Sequence, residues 1–549
     1  MKLFLASILT LSILFAFLLS IFLTVFFILG YIEWHFLILL TILINLLLWL
    51  LSPYIGDIVN KLFYKMEFIG IEGLRKKDKK VADFIEEVCK KNKINVPKIG
   101  WINDDNPQAF TYGSAAFNAR IIFTEGIFTY LDTEERRSVF AHELGHILHR
   151  DFIVMSIAST IIQLLYEIYW ILTRTKGEKR NNLFIIGMIS YVFYWIGTYI
   201  LLYLSRIREY YADEFAGEET KNPNSLSSAL LKIAYGILAK PDKEEEIRLM
   251  KSTRSLGLTD YKLVKNTGLI YAQSMKMHKI EYIEKSFLFD LKNPWSFFIE
   301  LSSTHPLTGK RIKRLCMLAN KLNQKPIFDF EKIEKYPVDT KKLYSGFFVD
   351  VFVLYLPALI IISGIAYLFY KIFLSSIYQI AIPWNKILIT EFSLIAIFGV
   401  SIILQTIYKY REGVYSECNV IDLMVDIYAS PIRGKPVKLK GKIVGKGIPG
   451  YIFSEDMLLE DNTGIIYLNY ESLIPVFGNL VFAWRKVNKL IGEPCVATGW
   501  FVRSTNSRIE LKEIKTMQQT IKGRIKILGI LFGSFLVIFG VVLLMLYLI

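Results

Sequence analysis

His142-Glu143-Leu144-Gly145-His146 lies between a charged stretch and a long apolar one, and how it is read decides the organisation of the whole chain. Residues four apart share a helix face, so His142 and His146 can point both imidazoles at one zinc ion. Glu143 then sits beside the metal, placed to take a proton from water held there. The plain alternative is a surface helix that carries two histidines by chance, so the flanking sequence has to carry the argument.

Composition narrows the class. Of 549 residues, 53% are hydrophobic and 14% aromatic, and they fall in blocks, which excludes an ordinary soluble enzyme. The uncharged runs 3–32 and 34–56 are each long enough to cross a ~30 Å hydrocarbon core as a helix. The first is about twice a signal-peptide core, and a second span follows at once, so the pair is expected to stay as an uncleaved hairpin. Further spans are expected at 152–172, 183–204, 351–370, 386–408 and 527–549. Glu167 and Glu391 fall inside two of them and receive no role.

The net charge of +15 reads first as topology. Lys2 and the cluster Arg75-Lys76-Lys77-Asp78-Lys79-Lys80 lie on the side that such spans leave together, which the positive-inside rule makes the cytoplasm. The loop carrying Arg174, Lys176, Lys179 and Arg180 runs against that bias. Cys89, Cys316, Cys418 and Cys495 show no CxxC spacing, so neither a disulfide framework nor a cysteine zinc site is expected, which suits a reducing compartment.

A third metal ligand is offered by Ser205-Arg206-Ile207-Arg208-Glu209-Tyr210-Tyr211-Ala212-Asp213, just after the fourth span. Glu209 and Asp213 share a helix face. One carboxylate can bind the metal while the other supports a ligand histidine. His146 stands about 9 Å of helix before one span, and Glu209 about 7.5 Å after the next, at 1.5 Å per residue. Two spans joined by a short loop run antiparallel, so both ligand sets emerge at nearly one height. His149 shares the face of His142, but about 10 Å along the axis is too far for one metal. His35 falls near the loop between the first two spans and His278 in a lysine-rich stretch, so neither joins the site. Asp151 can support a ligand histidine or cap the following span.

These pieces together resemble the HtpX-type membrane zinc endopeptidases, relatives of the CAAX prenyl proteases. Asn106-Pro107-Gln108-Ala109-Phe110-Thr111-Tyr112-Gly113 is similar to that family's NAFxxG strand with two residues inserted, and Ser303-Thr304-His305-Pro306 with Arg311 is similar to its late STHP element. Leu307 replaces a second proline often found there. The resemblance covers roughly residues 1–320 and implies an α+β zincin-like catalytic domain with one zinc per chain. It implies His142, His146 and Glu209 as ligands, Asp213 as the supporting carboxylate and Glu143 as the catalytic base. It further implies His305 and Arg311 as partners of the developing oxyanion, and Ala109, Phe110, Thr111 and Tyr112 as the edge that binds substrate backbone.

Residues 409–526 differ in kind. Alternating runs at 437–444, 457–460, 465–469, 496–502 and 508–514 read as strands, with a turn at Asp461-Asn462-Thr463-Gly464 and a helix within 471–490. The order βββαββ fits a small OB-like β-barrel. No interleaved aromatic pattern accompanies its basic charge, so lipid rather than nucleic acid is the expected neighbour.

The resulting expectation is a multi-pass α-helical membrane protein in five parts. These are a transmembrane hairpin at 1–56, a zinc peptidase domain at 57–345 interrupted by a hairpin at 152–204, a hairpin at 346–408, the soluble β-module at 409–526 and a last span at 527–549. Protein or peptide substrates and the lipid bilayer are the expected partners, and quality control at the cell membrane the expected role. A dedicated processing protease for one anchored or lipidated protein, or an inactive scaffold, are the alternatives. Seven spans starting from a cytoplasmic Lys2 put the peptidase segments and the β-module on the cytoplasmic side. A cysteine introduced at Lys446 should therefore escape an impermeant maleimide on intact cells and react after lysis. Labelling of intact cells would put the β-module outside.

Overall fold

The computed structural model describes residues 10–21, 34–174, 180–239, 268, 270–271, 274–275, 280–379, 381–446, 455–504 and 507–549. Most of the expected first span, the interior of the basic 174–180 loop and His278 lie outside the described residues. Among those described, six helices are long and apolar enough to cross a membrane, and the second to seventh expected spans each coincide with one. Two compact units emerge, Met1–Ala272 with Ser296–Lys335, and Gln273–Trp295 with Tyr336–Ile549. The second unit takes in residues 273–295 and 336–345, which the expected peptidase segment at 57–345 includes.

In the first unit, helix α1 (Thr10–Ile21) precedes α2 (Trp34–Tyr64), which runs eight residues past the expected end of its span. That extension carries Asp57 to a four-stranded sheet of β1 (Glu67–Phe68), β2 (Lys98–Ile102), β3 (Ala109–Tyr112) and β4 (Arg120–Thr124). The strand order is β1-β2-β4-β3, so β3 is an edge. Asp57 receives the Arg120 guanidinium at 2.9 Å and the Tyr112 hydroxyl at 2.9 Å, tying the span to the edge strand.

Helix α3 (Thr133–Leu148) carries the motif. Asp132 starts it with a reciprocal capping box, its carboxylate accepting from the Glu135 amide while the Glu135 carboxylate accepts from the Asp132 amide, both at 2.9 Å. The helix is buried on almost every side, so the histidine spacing rather than an apolar stripe made it legible. It does not run on into the next span. Arg150 adopts a left-handed φ of 57°, and α4 (Asp151–Arg174) starts after it as a separate helix. The 9 Å estimate from His146 to the span assumed an unbroken helix and does not hold. The 7.5 Å estimate does, because α5 (Arg180–Glu219) is one 40-residue helix from span to ligand. Leu14 and Leu18 of α1 join Ile161, Leu165 of α4 and Leu183, Ile186 of α5 in one apolar core. Helix α6 (Thr308–Lys321) follows the STHP segment.

The second unit holds α7 (Thr340–Tyr378), α8 (Trp384–Lys409) and a five-stranded barrel. Its strands are β5 (Lys435–Lys446), β6 (Met457–Glu460), β7 (Ile465–Asn469), β8 (Pro494–Val502) and β9 (Arg508–Thr516), after which α9 (Ile525–Leu548) forms the last span. Antiparallel pairs β5–β6, β6–β7, β9–β8 and β8–β5, with the parallel pair β7–β9, close the ring. Every expected strand is present. Val437, Leu439, Leu459, Leu468, Ile509 and Leu511 fill the interior, and closure leaves no long open edge in the ring. The β6–β7 turn is held by Asp461, whose carboxylate accepts from the amides of Thr463 at 2.7 Å and Gly464 at 2.8 Å.

Helices α8 and α9 meet backbone to backbone. A Cβ on Gly399 would lie 2.6 Å from the Gly533 carbonyl, and one on Gly540 would lie 2.6 Å from the Ala396 amide. Small residues are what allow such an approach between apolar helices. Gly533→Leu should lower the melting temperature of the solubilised protein, an overpacking cost of about 1–3 kcal/mol. Leu531→Val, at a site 54% exposed on the same helix, should leave it unchanged.

Candidate metal centre

Helix α5 lies against α3 at Gly145, where an added Cβ would stand 3.1 Å from Ala212 Cα and 3.3 Å from Phe215. That close approach brings Glu209 opposite the two histidines. His142 Nε2 and His146 Nε2 are 3.1 Å apart, and the Glu209 carboxylate oxygens stand 3.6 Å from the first and 3.5 Å from the second. Four ligands at about 2.0–2.2 Å in a tetrahedron are separated by about 3.3–3.6 Å, and one ligand atom from each of the three residues lies within 4.8 Å of the others, so modest closure around a zinc-sized cation would complete three corners. Glu209 Oε2 is buried without a hydrogen-bond partner, as a carboxylate oxygen reserved for a cation would be.

Each histidine is oriented from behind by the same device. His146 Nδ1 is 2.6 Å from Asp151 Oδ2, and Asp151 in turn accepts from Arg208 Nε at 2.6 Å. His142 Nδ1 is 3.0 Å from Asp213 Oδ1, and Asp213 is gripped by Arg311 through Nε at 2.8 Å and Nη2 at 2.7 Å. The His142 contact has the distance of a hydrogen bond without its angle. Its short reach inside a fully buried cluster makes it the interaction that fixes the ring.

The side chains alone set unusual proton affinities. Burial acts to lower the pKa of His146, yet the Asp151 hydrogen bond and the Glu209 charge overcome it and push it up to about 9. His142 is likewise raised, burial being outweighed by Asp213 and Glu209. Burial raises Glu143 above the ordinary carboxylate value, while the two histidines oppose the shift. A bound cation would take the place of the protons on the imidazoles and favour the ionised form of Glu143.

The sequence-predicted residues converge here with changed partners. Thr111 of β3 donates its hydroxyl to Glu143 Oε2, so the edge strand touches the expected base. Ala109, Phe110 and Tyr112 flank it with buried side chains. His305 Nε2 faces Glu209 Oε1 at 3.5 Å, its loop held by Arg206, which donates to the carbonyls of Glu300 and Ser303 at 2.8 Å each. Arg311 was expected beside an oxyanion. Its fork is closed on Asp213 instead, and Nη1 stands 3.6 Å from Glu209. His149 caps α3 and packs on Tyr211 and Phe215, away from the cluster. Arg208 carries no signal of this role in the sequence, and of the two roles open to Asp151 the structure shows it supporting His146. Nothing in local spacing joins residues 57 positions apart, though an aspartate five residues past His146 was a usable hint.

A family model described as Peptidase family M48 matches residues 75–319. Curated proteins described as Protease HtpX homolog are similar to the chain. The one from Methanothermobacter thermautotrophicus is 33% identical over 185 residues, covering 34% of this chain and 67% of its own. That from Aeropyrum pernix is 30% identical over 294 residues, covering 52% and 86%, and that from Aquifex aeolicus is 32% identical over 255 residues, covering 44% and 72%. A crystal structure of Ste24p from S. mikatae is 17% identical, with 57% of this chain and 66% of that one covered at a TM-score of 0.32.

Three substitutions separate holding a metal from orienting its ligands. Glu209→Ala should abolish bound metal, whereas Asp213→Ala should weaken affinity by about 10–100-fold. Gly145→Leu, which pushes α5 off α3, should behave like Glu209→Ala. Metal analysis with chelator competition on the purified variants reads all three. A larger loss at Asp213 than at Glu209 would exchange their roles.

Proposed function

Because the chain belongs to peptidase family M48 and is a multi-pass membrane protein related to the HtpX homologues, we propose that it is a zinc-dependent endopeptidase with a zincin-like catalytic domain. The observation that carries the reading is the convergence of His142, His146 and Glu209, whose ligand atoms all lie within 4.8 Å of one another. The sheet with its edge strand β3 against the motif helix supports the zincin-like architecture.

His142, His146 and Glu209 would hold the ion. When bound, zinc supplies a Lewis acid that lowers the pKa of water toward ~7 and polarises a carbonyl. Glu143, ionised and oriented by the Thr111 hydroxyl, accepts the proton of the attacking water and passes it to the leaving amine. His305, with Nε2 3.5 Å from Glu209 Oε1, is placed beside the cluster to donate to the developing oxyanion. Arg311 acts one step removed, as a positioning residue that keeps Asp213 on His142. Among the described residues strand β3 pairs only with β4, and its other edge is where an extended substrate backbone would add. Recognition through main-chain bonds selects extended polypeptide over a particular sequence. This suits the removal of damaged membrane proteins at the cytoplasmic face of the cell membrane.

Glu143→Gln tests the reading directly. Purified in detergent, the variant should retain one zinc per chain by elemental analysis while casein cleavage falls below a few percent of wild type. Retained cleavage would remove Glu143 from the role of base. Absence of zinc from the wild-type protein would remove the metal mechanism altogether.

A further inference from the structure

The segment between β7 and β8 carries an apolar surface that the barrel does not use. Residues Phe477–Phe482 are α-helical, Ala483–Val487 widen into a π turn, and Asn488–Leu490 complete the element. One face of it, made of Asn479, Phe482, Ala483, Val487 and Leu490, is buried. The other face presents Phe477, Leu480, Val481 and Trp484, spaced i, i+3, i+4 and i+7, with Phe477 75% and Trp484 64% exposed. Leu473, Ile474 and Val476 lead into that face and are each more than half exposed. A helix on the surface of a soluble domain turns polar residues outward at those positions. A contiguous ridge of large apolar side chains instead marks a surface that something covers.

Two observations in the same unit name what covers it. Arg524 donates its backbone amide to the Glu471 carbonyl at 2.7 Å, and the span α9 begins one residue later at Ile525. The ridge therefore starts two residues from a backbone position pinned at the mouth of a membrane-crossing helix. Its far end carries exposed Arg485, Lys486 and Lys489 directly after Trp484. Aliphatic and aromatic side chains, a tryptophan and a run of cations make up the composition of an element lying in the bilayer interface beside anionic headgroups.

We propose that the ridge from Leu473 to Trp484 is a membrane-surface anchor. Its apolar side chains enter the headgroup–acyl boundary of the bilayer that α8 and α9 cross, and Arg485, Lys486 and Lys489 rest on anionic lipid. The barrel is then bound to the membrane at three places: the end of α8, the start of α9 and the ridge. Nothing in the inference depends on the peptidase reading, and failure of either leaves the other standing.

Nitroxide labels at Phe477→Cys and Trp484→Cys test it in the full-length protein, with half-buried Cys418 replaced by serine and the other three cysteines buried. Reconstitution uses nanodiscs containing phosphatidylglycerol, and Lys440→Cys, on an exposed side chain of β5, serves as the aqueous reference. The ratio of collision rates with oxygen and with a water-soluble nickel chelate should be several-fold higher at 477 and 484 than at 440. Equal ratios at all three sites would overturn the proposal by placing the ridge in water. Exclusion of both reagents from 477 and 484 would overturn it equally, because a second copy or a bound polypeptide would then be the cover.

Discussion

Everything around the cluster follows from the need to aim two imidazoles at one point inside a buried site. An imidazole with one free nitrogen has no fixed orientation, and here each ring is fixed by a carboxylate that is itself fixed by a guanidinium. Asp151, Arg208, Asp213 and Arg311 are all more than nine-tenths buried. Burying such charges is costly, and close pairing is what compensates. Removing one member strands its partner in a low-dielectric interior, so the pairs tolerate little displacement. The close contact at Gly145 is part of the same constraint, because a wider gap between α3 and α5 would separate the carboxylates from the rings they hold.

Helix α5 supplies Arg208, Glu209 and Asp213 and is also a membrane span. At about 1.5 Å per residue its 40 residues reach about 60 Å, twice the ~30 Å hydrocarbon thickness. Half of it must project from the bilayer, and the ligand sits on that half. A rigid extension of a span fixes the height of Glu209, which a flexible linker could not do.

What was legible in the sequence divides along physical lines. His142, His146, Glu209 and Asp213 were readable because helical periodicity maps a spacing of four onto one face. Six of the seven expected spans coincide with long apolar helices and were readable from length and charge alone, and the barrel strands from period-two alternation. The break at Arg150 was not, since no glycine or proline marks the left-handed turn between α3 and α4. The occupation of Arg311 by Asp213 was also hidden. Pairings between distant helices depend on packing angles that no local pattern encodes, and an arginine near a metal looks the same in sequence whether it faces a substrate or a neighbouring carboxylate.

The second unit meets a different demand. A small barrel hung between two spans, with α8 ending at Lys409 and α9 beginning at Ile525, is also tied to the rest of its unit, with Arg503 stacked 3.8 Å over the Phe289 ring and the Asp339 amide donating to the Tyr428 hydroxyl at 2.9 Å. The Arg524–Glu471 bond adds a tie on the membrane side by joining the start of α9 to the backbone after β7. The only extended apolar surface on the described residues of the barrel begins beside that bond. An exposed tryptophan and phenylalanine there would be a solubility liability on a free domain, and on a domain already held at the bilayer they become a way to fix its tilt.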